Sequence, residues 1–298
     1  MKENPHFTPS HPVSGGLIRF QGRLTNLITW LGPAWASLCG IVASGGFRWQ
    51  DENWLRLALL ILLVDGGWGT LWAALGSTNW ATPLRRWHNW RSGDPVTPLP
   101  YTCPGSPGDQ ASLWLGQLRA WWREALWPTC GPALSAMAVA LPVTAVLGTL
   151  LGPEMLLLSA AAFAIMQLGM LWEGGQGSIA PGWDAIVAVA LPWLAGHAAF
   201  GESTLRSAGL ALAFALAWSA AWQSNSPWKR TLGIGAQLIA VALLIALHRP
   251  LTAGGLLLLL TPQLLLLPWL SRGQPVSWYV RHTRPWLMAA MLVAAWAL

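Results

Sequence analysis

The chain has 298 residues, of which 54% are hydrophobic and only 9% charged, against about 25% charged in a soluble globular protein. Eleven acids and seventeen bases cannot clothe a soluble globule of this size. Three cysteines without framework spacing (Cys39, Cys103, Cys130) exclude a disulfide scaffold, and the apolar content excludes a disordered chain. The composition is that of an all-α integral membrane protein. The net charge of +6 falls between apolar runs, so it reads as topology and anionic-lipid contact, with no nucleic-acid partner. The 23 tryptophans suit the two headgroup regions, since indole is apolar with one N–H donor.

In chain order, the polar tail 1–16 lacks the apolar core of a cleavable signal peptide. Nine runs then approach the roughly 20 apolar residues that a spanning helix needs: 28–47, 54–76, 131–152, 154–172, 184–201, 206–222, 231–248, 251–271 and 285–298. None alternates as a β-barrel strand would. The third and fourth runs meet at Gly152–Pro153, a tight helical hairpin. The connection 77–130 opens with TNWATPLRRWHNWR, continues as a Pro/Gly loop, and ends in a short helix that Asp109 can N-cap, read either as an amphipathic helix on the cytoplasmic interface or as a plain connector. The whole forms one nine-helix domain, 1–298.

The bases orient it. With a cytoplasmic N-terminus and nine spans, Lys2, Arg19, Arg23, Arg85, Arg86, Arg91, Arg119, Arg123, Lys229, Arg230, Arg272, Arg281 and Arg284 lie inside, thirteen of the seventeen. Arg48, Arg56, Arg206 and Arg249 lie outside, the asymmetry of a positive-inside protein in a bacterial cytoplasmic membrane.

One acid and one histidine stand well inside the apolar runs. Asp65, in LLVDGGWGTLW, is an intramembrane carboxylate and so a candidate functional group; the plainer alternative is a carboxylate bonded to a neighbouring indole or hydroxyl. His197 could ligate a tetrapyrrole metal or serve as a hydrogen-bonded core histidine. The other histidines are scattered, and neither HExxH nor CxxC occurs, so no metal site is expected.

The strings ALGSTNWATPLRRW and WQSNSPWKRTLGIGAQL lie at the inner ends of the second and sixth runs. With the nine-span layout, they resemble the UbiA-type superfamily of intramembrane prenyltransferases. LIRFQGRLTNLITWLGPAWASLCG resembles that family's opening segment and first span, DAIVAVALPWLAGHAAFGE its fifth span, and YVRHTRPWLMAAMLVAAWAL its last. The resemblance covers almost the whole chain, and KRTLGIG is its most specific piece. It implies a helical bundle around a central cavity open to the cytoplasm and to lipid. In active members two aspartate-rich motifs hold Mg²⁺ on the diphosphate of a prenyl donor, because hard cations on carboxylate oxygens neutralise that leaving group.

The chain departs from the family at those carboxylates. Aligning Asn79 on the first motif puts Trp80, Pro83 and Trp87 where aspartates belong, and aligning Asp65 instead puts Trp68 and Trp72 there. The second motif reads Gln223, Ser224, Asn225 and Ser226. The inner-loop acids Glu3, Asp94, Asp109, Glu124, Glu173 and Asp184 are dispersed. What survives is basic: Arg85, Arg86, Lys229 and Arg230, which with Asn79 form a candidate anion or headgroup pocket, or report positive-inside topology alone. The expectation is a UbiA-like, non-catalytic subunit or scaffold of a larger membrane assembly, contacting lipids and other membrane subunits. It would bind isoprenoid lipid, quinone or pigment, with no Mg²⁺. Related chlorophyll synthases make a photosynthetic assembly one context. The alternative is a divergent prenyltransferase acting on an aromatic or tetrapyrrole acceptor. A transporter ranks last, since no repeat is visible.

Overall fold

The computed structural model describes residues 32–87, 103–172, 180–202, 204–224 and 226–298. The expectations for the tail 1–16, for Lys2, Arg19, Arg23 and Arg91, and for Asn225 lie outside these residues. All elements among the described residues are helical: α1 Pro33–Ser44, α2 Asp51–Gly76, α3 Ala81–Arg86, α4 Pro107–Leu151, α5 Pro153–Trp172, α6 Pro181–Phe200, α7 Leu205–Trp222, α8 Pro227–Ala246, α9 Pro250–Ser271 and α10 Val276–Trp296. Six of them (α1, α4, α5, α6, α8 and α9) begin on a proline, whose fixed φ suits the first helical turn and whose missing N–H is no loss there. Seven, α2 and α4 to α9, are long and apolar enough to cross a bilayer. α1 is shorter, and α10 carries Arg281, His282 and Arg284 in its first half. Each of the nine apolar runs coincides with one of these helices over its described residues.

The long connection differs from its expected form. The amphipathic segment is not a separate helix; it runs unbroken into the following apolar run, giving a helix of 45 residues, about 67 Å long. Its N-cap is Ser106, whose Oγ accepts from Asp109 N at 3.3 Å. Asp109 is the third helical residue, and its Oδ2 accepts from Gly105 N at 2.9 Å, so the two residues act as a capping pair. The reading of Asp109 as N-cap is thereby corrected by three positions. The short α3 is clipped to this helix: Trp121 Nε1 donates to the Pro83 carbonyl at 2.9 Å, and Trp87 meets Trp121 edge to face. α4 turns into α5 at Gly152, whose φ of 117° is open only to glycine.

Consecutive helices run in opposite directions. At one end, Arg56 near the start of α2 donates to the Leu151 carbonyl closing α4, and its guanidinium lies over Phe200 closing α6. At the other end, Trp72 of α2 reaches Asp184 at the start of α6. We call these the Arg56 end and the Asp184 end. Exposed tryptophans mark both: Trp49 and Trp296 at the first, Trp172 and Trp228 at the second, as the headgroup belts require. Other tryptophans depart from that expectation. Trp68 and Trp193 are fully buried and use their N–H groups to join helices, Trp68 to Ser159 Oγ and Trp193 to Ser207 Oγ.

Two apolar cores share the α1–α6 pair, one toward α2, α4 and α5, the other toward α7 to α10. The apolar stretch of α2 is 67% buried and that of α9 only 22%, so α2, α6 and α7 form the centre and α4, α5, α8 and α9 the rim. α1 and α6 touch backbone to backbone. A Cβ on Gly40 would lie 2.0 Å from the Trp193 carbonyl oxygen, and one on Gly196 would lie 2.0 Å from that of Ser37. Without a side chain on either glycine the two helices approach far enough for dispersion and Cα–H···O contacts to replace lipid.

Candidate functional site

The chain passes from α7 to α8 through a tight turn that the first residues of α8 hold. Lys229 Nζ donates to Gln223 Oε1, whose own amide donates to Ser219 Oγ at 3.0 Å. Arg230 Nε donates to the Ser224 carbonyl at 2.5 Å. Both cations thus cover the C-terminal end of α7, where unpaired carbonyls concentrate negative partial charge.

Inside this turn a cavity of about 30 Å³ opens between α7, α8, α9 and α10, room for one or two waters. Ser224, Lys229, Arg230 and Tyr279 form its mouth, and Gln237 and Gln263 its floor. Alanines of α7 and leucines of α9 make the walls, and no acid is among the lining residues. The floor is a reciprocal amide pair, with Gln237 Nε2 donating to Gln263 Oε1 at 2.8 Å and the return bond at 3.1 Å. Tyr279 Oη donates to the Gln263 carbonyl at 3.3 Å. Gln237 lies ten residues into α8, about 15 Å from its start, so the pair sits near the middle of an apolar helix, where a lone amide would be costly. At the mouth the accounting does not close. Ser224 is 1% exposed and its Oγ has no hydrogen-bond partner.

A second polar group lies beside it. Asp184, the fourth residue of α6, accepts from Trp72 Nε1 at 3.0 Å. The Trp218 indole lies near the same carboxylate without completing a hydrogen bond, and the Arg284 guanidinium sits 5.4 Å from that ring's centroid. A carboxyl group, two indoles and a guanidinium therefore join α6, α2, α7 and α10.

The residues singled out from the sequence fall in different places. Lys229 and Arg230 line the cavity; Arg85 and Arg86 do not, and project exposed from α3. Asn79 Oδ1 accepts from Thr82 N at 3.1 Å, capping the start of that short helix. Asp65 is 5% exposed, within a π-helical stretch of α2, Leu62–Trp68. Its Oδ1 lies 3.9 Å from where a Cβ on Gly32 would be, so the carboxylate faces the N-terminal end of α1, which favours negative charge.

His197 has both ring nitrogens engaged. Nε2 is 2.8 Å from the Glu202 carbonyl, which only accepts, so Nε2 carries the proton. Nδ1 then accepts from Ser207 Oγ at 3.1 Å, and that oxygen accepts from Trp193 Nε1 at 2.9 Å. Each polar atom of this buried chain has a partner in one consistent direction. A metal would have to displace one of them, and the hydrogen-bonded core histidine is the arrangement present. No group of three His, Cys, Asp or Glu side chains among the described residues is placed to hold a metal ion.

Sequence reasoning passed over Asp184, placed at a span boundary, and Gln237, Gln263 and Tyr279. Gln237 and Gln263 had a readable signal, since each is an amide inside an otherwise apolar run, GIGAQLIAVALL and LLLLLTPQLLLL. The unpaired Ser224 hydroxyl had none, because it depends on how α7, α8 and α9 pack. Compared with known proteins, the chain matches no family model, no curated protein and no solved structure.

Proposed function

We propose that this chain is a non-catalytic membrane subunit or scaffold that holds an isoprenoid lipid, quinone or pigment, built on a UbiA-like bundle of nine spanning helices. The observation that carries the reading is the cavity at KRTLGIG, whose lining keeps two cations and a buried amide pair and includes no carboxylate. Such a lining can position a polar head above an apolar tail. It offers no carboxylate oxygens for the divalent cations that a diphosphate leaving group calls for. The test is gentle purification at native expression, followed by organic extraction and mass spectrometry. An isoprenoid, quinone or pigment in stoichiometric amount, with discrete membrane-protein partners, is expected. Bare protein carrying bulk phospholipid alone would sink the reading. The cations at the mouth also favour a second reading, a divergent prenyltransferase using Lys229 and Arg230 in place of metal. It would release diphosphate from a polyprenyl diphosphate without Mg²⁺.

The proposed orientation puts the Asp184 end in the cytoplasm. The alternating helices support it. Among the described residues Arg85, Arg86, Arg119, Arg123, Lys229, Arg230, Arg272, Arg281 and Arg284 belong to the Asp184 end, and Arg48, Arg56, Arg206 and Arg249 to the other. Cys103 is an exposed thiol, while Cys39 and Cys130 are buried. An impermeant maleimide should therefore label Cys103 in inverted vesicles and leave it untouched in sealed cells. The reverse pattern would invert the topology.

A further inference from the structure

We propose that the cavity at the α7–α8 turn selects a phosphate headgroup: the ligand it takes is a phosphate ester on an apolar chain, not a neutral ring. This rests on the reading that the cavity holds an amphiphile, and it names the chemistry of the head. Three observations converge on it.

The first is the direction of the hydrogen bonds at the mouth. Lys229 spends one N–H on Gln223 and Arg230 spends its Nε–H on the Ser224 carbonyl. An ammonium has three donors and a guanidinium five, so most of their N–H groups stay open beside the cavity they line. The second is Ser224, whose buried hydroxyl lines the same cavity and has no partner. The floor adds nothing to this demand, because Gln237 and Gln263 satisfy one another, and at the mouth the Tyr279 hydroxyl is spent on the Gln263 carbonyl. The unmet hydrogen-bonding capacity is thus concentrated at the mouth, as donors, beside two positive charges and no lining acid. A tetrahedral phosphate accepts from several directions at once and a guanidinium binds it through two N–H groups. A quinone or a pigment ring offers a few in-plane carbonyls and no charge.

The third observation is size and place. A cavity of about 30 Å³ admits phosphate oxygens, but not a prenyl or acyl chain. The chain of the ligand must lie outside, along Ile234, Leu264 and Leu267, which border the cavity on the two helices whose apolar stretches are only 28% and 22% buried. Lys229 is two residues from the start of α8, about 3 Å along its axis, so the cation sits at the end of this apolar helix, where a headgroup would meet it.

The experiment uses the full chain, delipidated in a neutral detergent, and native mass spectrometry with five probes. They are phosphatidylglycerol, a polyprenyl monophosphate, inorganic phosphate, diacylglycerol and ubiquinone. Either phosphate lipid should bind at least roughly tenfold more tightly than diacylglycerol and ubiquinone, a difference of about 1.4 kcal/mol. Which of the two binds better tells an acyl from a prenyl chain. Arg230→Gln should abolish the preference. Because Arg230 also holds the Ser224 carbonyl, that variant could fail to fold, and Ser224→Ala is the cleaner probe. It removes a hydroxyl that bonds to nothing in the empty cavity, so its thermal stability without lipid should be unchanged or higher. Its affinity for the phosphate lipid should still fall several-fold. Equal binding of phosphate and phosphate-free lipids, or a Ser224→Ala protein that binds phosphate lipid as tightly as the parent, would overturn the proposal. Inorganic phosphate binding as tightly as the lipids would overturn the lipid source. Tight ubiquinone binding without phosphate selectivity would overturn this inference and leave the broader reading standing; no binding of any probe would overturn this inference too and leave a pigment as the ligand for the broader reading.

Discussion

Gly40→Val is expected to destabilise the protein by about 3 kcal/mol, the upper end of what over-packing costs, and Gly196→Val by a similar amount. The clash is with backbone. At 2.0 Å from a carbonyl oxygen, the new Cβ cannot be relieved by turning a side chain, so α1 must move off α6. The move would separate the two cores that share this pair, because Trp193 is fully buried there between α1 and α7. In thermal unfolding followed by circular dichroism, Tm should fall by roughly 6–12 °C. Gly235→Ala and Gly254→Ala are the controls. Neither glycine has an atom within 4 Å of the added Cβ, and both lie in helices, so each should stabilise by up to about 1 kcal/mol. An unchanged Tm for Gly40→Val would mean that α1 does not lie against α6 as described.

Ser207→Ala should cost roughly 2–6 kcal/mol, because one hydroxyl satisfies two buried groups and its removal orphans both at about 1–3 kcal/mol each. Trp193 Nε1 loses its acceptor and His197 Nδ1 loses its donor, while Trp193 is 0% and His197 4% exposed. The pairing can be isolated. Adding Trp193→Phe to Ser207→Ala removes the orphaned indole N–H, so the double variant should be less destabilised than the sum of the singles by about 1 kcal/mol or more. Strict additivity in denaturant unfolding would show that the indole and the hydroxyl are not joined.

The two predictions differ in how far they could be read from the amino acids. The helices themselves were legible. Apolar runs of bilayer length are a one-dimensional property, and prolines at 153, 181, 227 and 250 mark the first turns of the helices that begin there. The hairpin at Gly152–Pro153 was legible for the same reason. The extension of α4 back to Pro107 was not. A Pro/Gly loop followed by an amphipathic segment looks like a connector, and no residue near 121–127 shows that the helix passes through into the membrane. At the candidate site the cations Lys229 and Arg230 stood out, but Arg85 and Arg86 were grouped with them on resemblance. The structure clips the helix that bears those arginines to Trp121 instead, through a bond from an indole to a carbonyl 38 residues away.

What the sequence determined by itself is the class: a chain with 9% charged residues and nine apolar runs must place those runs away from water as helices, since each helix satisfies its own backbone hydrogen bonds without a neighbour. Its basic residues likewise set a consistent sidedness. What only the tertiary structure decided is which polar atoms meet. Asp184 with Trp72, Gln237 with Gln263, and Ser207 with His197 and Trp193 are pairings across 112, 26, 10 and 14 residues. Each depends on the rotation of one helix against another. That rotation is settled by backbone approach at positions such as Gly40 and Gly196 and by the filling of two cores. It has no signature in hydropathy, because lipid-facing and core-facing leucines and alanines are the same residues. The unpaired hydroxyl of Ser224 belongs to the same category: only the packing of α7 to α10 shows that a donor was left there without an acceptor.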